Sequence, residues 1–184
     1  MRCGHLAAAP GSRSPHPPDA LTCTVIEIRP GTDGDAAALA AIDAVTWTSA
    51  TSPAGVPDEP RPFFREEEDP SDTLVAVLDG AVVGYARLRN ALPVPSHLHV
   101  LEINGLAVDP DTAGRGIGRA LVEAAVTEAA RRGARKVSLR VLGSNTVARR
   151  LYARCGFVEE GVLRDEFVLD GRFVDDVFMA RFLP

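Results

Sequence analysis

No apolar run in the 184 residues approaches the roughly 20 that a membrane-spanning helix needs. The opening stretch "MRCGHLAAAPGSRSPHPPDA" has only Leu6 to Ala9 as an apolar core, too short for a secretion signal. Its proline, serine and glycine content predicts a disordered tail over 1–22, ahead of a domain over 23–184. Cysteine is scarce: Cys3, Cys23 and Cys155 are odd in number and far apart, which excludes a disulfide framework and a zinc motif and fits a reducing cytoplasm. His97 and His99 could share a strand face, but no third ligand stands at suitable spacing, so no metal is expected. An excess of positive charge is lacking too. The net charge of −5 argues against nucleic acid as a main partner.

What remains, 46% hydrophobic and 24% charged residues, suits one globular domain with a core of ordinary size. "TVIEIR" from Thr24 alternates as a strand that Pro30-Gly31 stops. Asp33 and Asp35 are candidate N-caps for a helix through "AAALAAIDAVT", with Leu39, Ile42 and Val45 on one stripe. A polar stretch from Thr48 to Asp72 follows, carrying the acidic run Glu66 to Asp69. "TLVAVLDGAVVGYARLRN" reads as a hairpin turning at Asp79-Gly80, and "HLHVLEINGLAVDP" as a long strand. Next come a glycine loop, a helix ending at Gly133, the strand "KVSLRVL", and a helix from Ser144 to Cys155. A last hairpin runs from Val162 to Leu169 and from Arg172 to Leu183, turning at Asp170-Gly171. A strand–helix–strand unit makes its strands parallel, whereas the hairpins are antiparallel. The expected class is therefore α/β (α+β), a single mixed central sheet flanked by helices.

The loop "AGRGIGRALVEAA" sets Gly114, Gly116 and Gly118 directly ahead of a helix, although glycine inside a helix costs about 1 kcal/mol relative to alanine. Bare backbone at a helix N-terminus suits a phosphate group, through free N–H groups and the positive end of the dipole. A tight turn would account for the same glycines. A second segment, "NTVARRLYARCGF" (145–157), sets Val147, Ala148, Leu151, Tyr152 and Cys155 on one helical face.

Taken together, these two segments resemble the GNAT superfamily of N-acetyltransferases. That family carries an Arg/Gln-x-x-Gly-x-Gly/Ala loop after a long strand, then an Asn-x-x-Ala-x-x-Leu-Tyr-x-x-x-Gly-Phe helix. Here the loop is Gly116-Ile117-Gly118, and the helix supplies Asn145, Ala148, Leu151, Tyr152, Gly156 and Phe157. The resemblance runs from about Thr24 to Phe182. In one respect the chain departs from the pattern: Ala113 stands where the family has Arg or Gln, which leaves Arg115 and Arg119 as the cations of the loop.

The resemblance implies acetyl-CoA as co-substrate and no metal. Its pyrophosphate would lie on the backbone from Gly114 to Arg119, where a side chain at Gly116 or Gly118 would obstruct approach. Its pantetheine arm would pair with a splayed strand end at Leu106-Ala107-Val108, opened by a bulge at Gly105, and would pass Asn145 and Ala148. The N–H of Val108 would polarise the thioester carbonyl. Glu102, six residues before Val108, matches the catalytic glutamate of the histone acetyltransferase branch, and Tyr152 matches the family's donor of a proton to the departing thiolate. A strand glutamate facing solvent or paired to an arginine, and a structural tyrosine against the pantetheine, would account for the same two residues. The acceptor would be a small-molecule or peptide amine, with neither nucleic acid nor a membrane as partner and with a homodimer left open. A catalytically silent acyl-CoA sensor is the alternative.

Overall fold

The computed structural model describes residues 25–54 and 62–184. Along the chain run β1 (Glu27–Pro30), α1 (Ala36–Thr46), β2 (Thr73–Leu78), β3 (Ala81–Arg89), β4 (Val100–Val108), α2 (Ile117–Arg131), β5 (Lys136–Leu142), α3 (Thr146–Arg154), β6 (Val158–Leu169) and β7 (Arg172–Phe182). The tail over 1–22, Cys3, Cys23 and Thr24 lie outside the described residues, as do 55–61 of the polar stretch.

The strands form one mixed sheet in the order β1-β2-β3-β4-β5-β7-β6. Only β4 and β5 pair in parallel among the described strands, because α2 carries the chain from one to the other. Two hairpins turn as expected: Asp79-Gly80 and Asp170-Gly171 all have positive φ, from 49° to 83°, which matches the right-handed twist of the strands they join. The last hairpin begins earlier than its alternation predicts, at Val158. No helix among the described residues is long and apolar enough to cross a membrane.

Helices cover both faces of the sheet. On one side α2 buries Ile117, Leu121, Val122, Ala125, Val126 and Ala129 against Leu101, Ile103, Val137 and Leu139. Removing that apolar surface from water stabilises the domain by about 25 cal/mol per Å². On the other side α1 packs Leu39 and Ile42 with Phe63, Val75 and Tyr85. Two expected core positions are exposed: Val45 at 61% and Val147 at 79%. Each lies at the margin of its helical stripe, beyond the reach of the sheet beneath.

Asp35 stands at the N-cap position of α1 but makes no side-chain cap there. Its carboxylate turns back instead to Arg29 (2.7 and 2.8 Å) and to the N–H and hydroxyl of Thr32 (2.8 and 2.9 Å). Arg29 holds that carboxyl well below the usual range, against the opposing effect of burial. The pair ties β1 to the start of α1. His97 and His99 precede β4 rather than lie on it, because Pro95 opens a 3₁₀ turn through His97.

Candidate active site

β4 and β5 part company halfway along. Their pairing runs from Val100–Lys136 to Ile103–Leu139 and then stops. The cause is a bulge: Arg87 pairs with Gly105 and Leu88 with Ile103, so Asn104 is the extra residue on β4. The bulge thus lies at Asn104, one position before the expected Gly105. Gly105 answers a different demand, since a Cβ there would lie 3.2 Å from the Tyr85 ring.

An inserted residue reverses the alternation of side chains. Leu101 and Ile103 face the α2 core before the bulge, and Leu106 and Val108 face it afterwards. The backbone follows the same logic. Asp109 N–H donates to Val83 O on β3 (2.8 Å), so Val108 and Leu106, in alternation, direct theirs towards the open side. Ala107 directs its backbone into the β3 ladder opposite Tyr85, and its side chain packs against the α1 core.

The split opens a cleft of about 1770 Å³ that Leu106, Ala107, Val108, Glu102 and Tyr152 all line. α2 and α3 meet it with their N-termini, at Gly118 and at Asn145 and Thr146. The N-cap of α2 is Gly116 in the left-handed conformation, with φ 80°, and it offers no side-chain acceptor. The first N–H groups of the helix, at Ile117, Gly118 and Arg119, are left without intrahelical partners. Gly114 has the same φ and also faces open space. This is a cradle suited to an anion. Arg115 and Arg119 flank it, both exposed and free of ion pairs among the described residues.

Two further residues at the cleft also have local structural contacts. Gly118 packs closely on α3, since a Cβ there would lie 3.3 Å from Leu151 Cδ2. Asn145 caps α3, its side-chain oxygen accepting from Ala148 N–H at 3.1 Å, which occupies both groups locally.

Glu102 is 8% exposed and faces the side of the sheet opposite α2. Arg89, its cross-strand partner on β3, donates from Nε to Glu102 Oε2 at 3.0 Å. Tyr152 is 7% exposed, its ring 5.9 Å from that of Phe157. Burial pushes its phenol far above the ordinary value, aided by nearby Cys155.

The side of the cleft towards α1 carries residues that sequence reasoning missed. Tyr85, Arg87 and Arg89 project from β3 at alternate positions, a pattern legible in "YARLR". The Tyr85 hydroxyl donates to Asp43 of α1, whose carboxyl burial raises against the opposing influence of Tyr85 and Arg87. Arg87 stacks 4.5 Å above the Phe63 ring and meets Glu68, which leaves that member of the acidic run engaged. From β5 and β7 come Arg140 and the buried Asp176, bonded to each other. The tip of the β6–β7 hairpin crosses over, Ser49 Oγ donating to Asp170 at 2.5 Å.

A sheet parted by a bulge, with a glycine-capped helix aimed into the gap, is the architecture of an acyl-CoA-binding transferase fold. Residues 39–157 match the Acetyltransferase (GNAT) family, and the chain belongs to that family. Phosphinothricin N-acetyltransferase of Alcaligenes faecalis is 35% identical over 109 residues, 59% of this chain and 55% of that protein. The chain spans about half the length of the curated relatives it matches. Among solved structures, smu.2055 of Streptococcus mutans UA159 superposes with a TM-score of 0.73 at 29% identity, covering 86% of this chain and 99% of that one. A phosphinothricin acetyltransferase of Sinorhizobium meliloti, solved in complex with AcCoA, shares the fold with a TM-score of 0.69 at 22% identity, covering 86% and 88%.

Proposed function

We propose that the protein is an acetyl-CoA-dependent N-acetyltransferase in which a primary amine attacks directly, both substrates being bound together. The observation that carries this reading is the parting of β4 from β5 after Ile103 and Leu139, which leaves backbone groups of Leu106 and Val108 unpaired in the cleft that Glu102 and Tyr152 line. The residues present fit acetyl-CoA. The N–H groups from Gly114 to Arg119 suit the pyrophosphate, and Leu106 and Val108 suit the pantetheine amides. When bound, acetyl-CoA supplies an electrophilic thioester carbonyl.

The chain's own groups do the rest. Val108 N–H is suited to stabilise negative charge on an acyl oxygen. An alkylammonium has a pKa of about 8 to 10.4, so a base must take its proton near neutrality, and Glu102 is the carboxylate at the split. Tyr152, its phenol held protonated by burial, gives a proton to the departing sulfur. Two proton carriers lining one cleft favour chemistry over a silent sensor. The acceptor wall of Phe63, Tyr85 and Phe167 suits a small amine, and the Alcaligenes relative is named for phosphinothricin. A cytoplasmic setting accords with that co-substrate.

A thermal-shift titration tests the reading, because a ligand at a hundredfold excess over its dissociation constant adds about 2.7 kcal/mol of stability. Acetyl-CoA should raise the melting temperature while ATP and NAD leave it unchanged. Thiol release should then follow addition of one member of a panel of amino acids, small amines and peptides with free N-termini. No shift with saturating acetyl-CoA would overturn the proposal.

A further inference from the structure

Arg89 touches two groups that matter to the split in the sheet. Its guanidinium reaches Glu102 Oε2 from both Nε and Nη2 at 3.0 Å. With the Asn104 amide turned so that its oxygen meets the donors, that oxygen accepts from Arg89 Nε at 2.9 Å and Nη1 at 3.2 Å. Asn104 is the bulge residue that ends the β4–β5 pairing. One side chain on β3 therefore holds both the carboxylate before the split and the residue that makes it. Only Oε2 of Glu102 is engaged; Oε1 takes no hydrogen bond from any described residue.

We infer that Arg89 is a positioning residue for proton transfer: it clamps Glu102 by Oε2 and Asn104 by its amide oxygen, so that Glu102 Oε1 is the atom presented to the acceptor amine. This rests on Glu102 being the base. A guanidinium suits the task because its planar fork binds two acceptors at fixed angles, which an ammonium cannot do. Stability is a minor part of its role. The Arg89 side chain is 55% exposed, and ion pairs that exposed contribute little to folding.

The test is a double-mutant cycle read by steady-state kinetics with acetyl-CoA and the best acceptor of the panel. Arg89→Ala should lower kcat roughly 10- to 100-fold, part of the 10² to 10⁴ that a general base supplies, while the KM for acetyl-CoA and the melting temperature stay near wild type. Arg89→Lys should fall between the two. In a Glu102→Gln background, Arg89→Ala should cost less than about twofold more, because the group it positions is gone. Asn104→Ala, which removes the second tether and leaves the ion pair, should show a smaller loss that is likewise silent in Glu102→Gln. It serves as the test if Arg89→Ala does not fold.

Full additivity in the Glu102→Gln background would overturn the inference, since Arg89 would then act on its own. An Arg89→Ala enzyme with unchanged kcat would overturn it as well. A Glu102→Gln enzyme at full rate would remove the base and the inference with it, so the two failures are told apart by the single variants.

Discussion

Leu151 of α3 lies against Gly118 in the first turn of α2, so that a Cβ at Gly118 would be 3.3 Å from Leu151 Cδ2 and 3.8 Å from Val108 Cγ2. The glycine lets two helices and the opened strand converge at the mouth of the cleft. Alanine there would gain about 1 kcal/mol of helix propensity over glycine while pushing Leu151 aside by a few tenths of an ångström. The two effects oppose each other, and Gly118→Ala should move the urea midpoint little. Gly118→Val has no such balance: overpacking costs about 1–3 kcal/mol, and the midpoint should fall. A valine variant as stable as wild type would show that the contact is loose.

Gly116 separates backbone strain from charge. Its φ is 80°, a conformation that costs most L-residues roughly 1–2 kcal/mol but asparagine and aspartate less. Gly116→Asn and Gly116→Asp share that strain and differ in charge alone. Like charges 4 Å apart at an effective dielectric of 20 repel by about 4 kcal/mol, so the aspartate variant should bind acetyl-CoA at least about tenfold more weakly than the asparagine variant. Isothermal calorimetry reads both. Equal affinities would put the pyrophosphate elsewhere.

Acid stability should depend on Asp35. Its carboxyl is lowered chiefly by the hydrogen bonds from Arg29, so its contribution is full above the unfolded value near 4 and is lost as the pH falls. Asp35→Asn should cost about 1–2 kcal/mol at pH 7, a figure reduced because the Arg29 side chain is 34% exposed. Urea titrations should show the two proteins converging below about pH 4. A difference that persists undiminished at low pH would argue for packing instead of charge.

Tyr152→Phe should lower kcat while leaving acetyl-CoA affinity close to wild type. Because burial holds the phenol protonated well above its ordinary value, the wild-type rate should show no alkaline fall from this group up to about pH 10. Stopped-flow thiol release across that range reads both points. A phenylalanine variant at full rate would make Tyr152 a packing residue against Phe157.

The order of elements was legible because glycine, proline and hydrophobic periodicity act locally. Asp79-Gly80 and Asp170-Gly171 announce hairpins, and the six buried residues of α2 repeat with helical spacing. Asn104 was not legible as a bulge, since an inserted residue is defined by the register of β4 against β3. The same register decides that Arg89 meets Glu102, so the pair could be foreseen only as some arginine. Tyr85, Arg87 and Arg89 alternate visibly in sequence, but which helix or loop covers that face is a tertiary matter. Pro95 could have warned that His97 and His99 precede the strand. Val147 shows a further limit: a stripe on a helix gives direction, not the width of what it packs against.

The pH dependence of kcat/KM for wild type and Glu102→Gln, with one good amine acceptor, tests the account most directly. If Glu102 is the base, the variant should be slower by about 10² to 10⁴ near pH 7. That gap should narrow towards alkaline pH, where more of the acceptor is already neutral and needs no base. A Glu102→Gln profile superimposable on wild type would contradict the account.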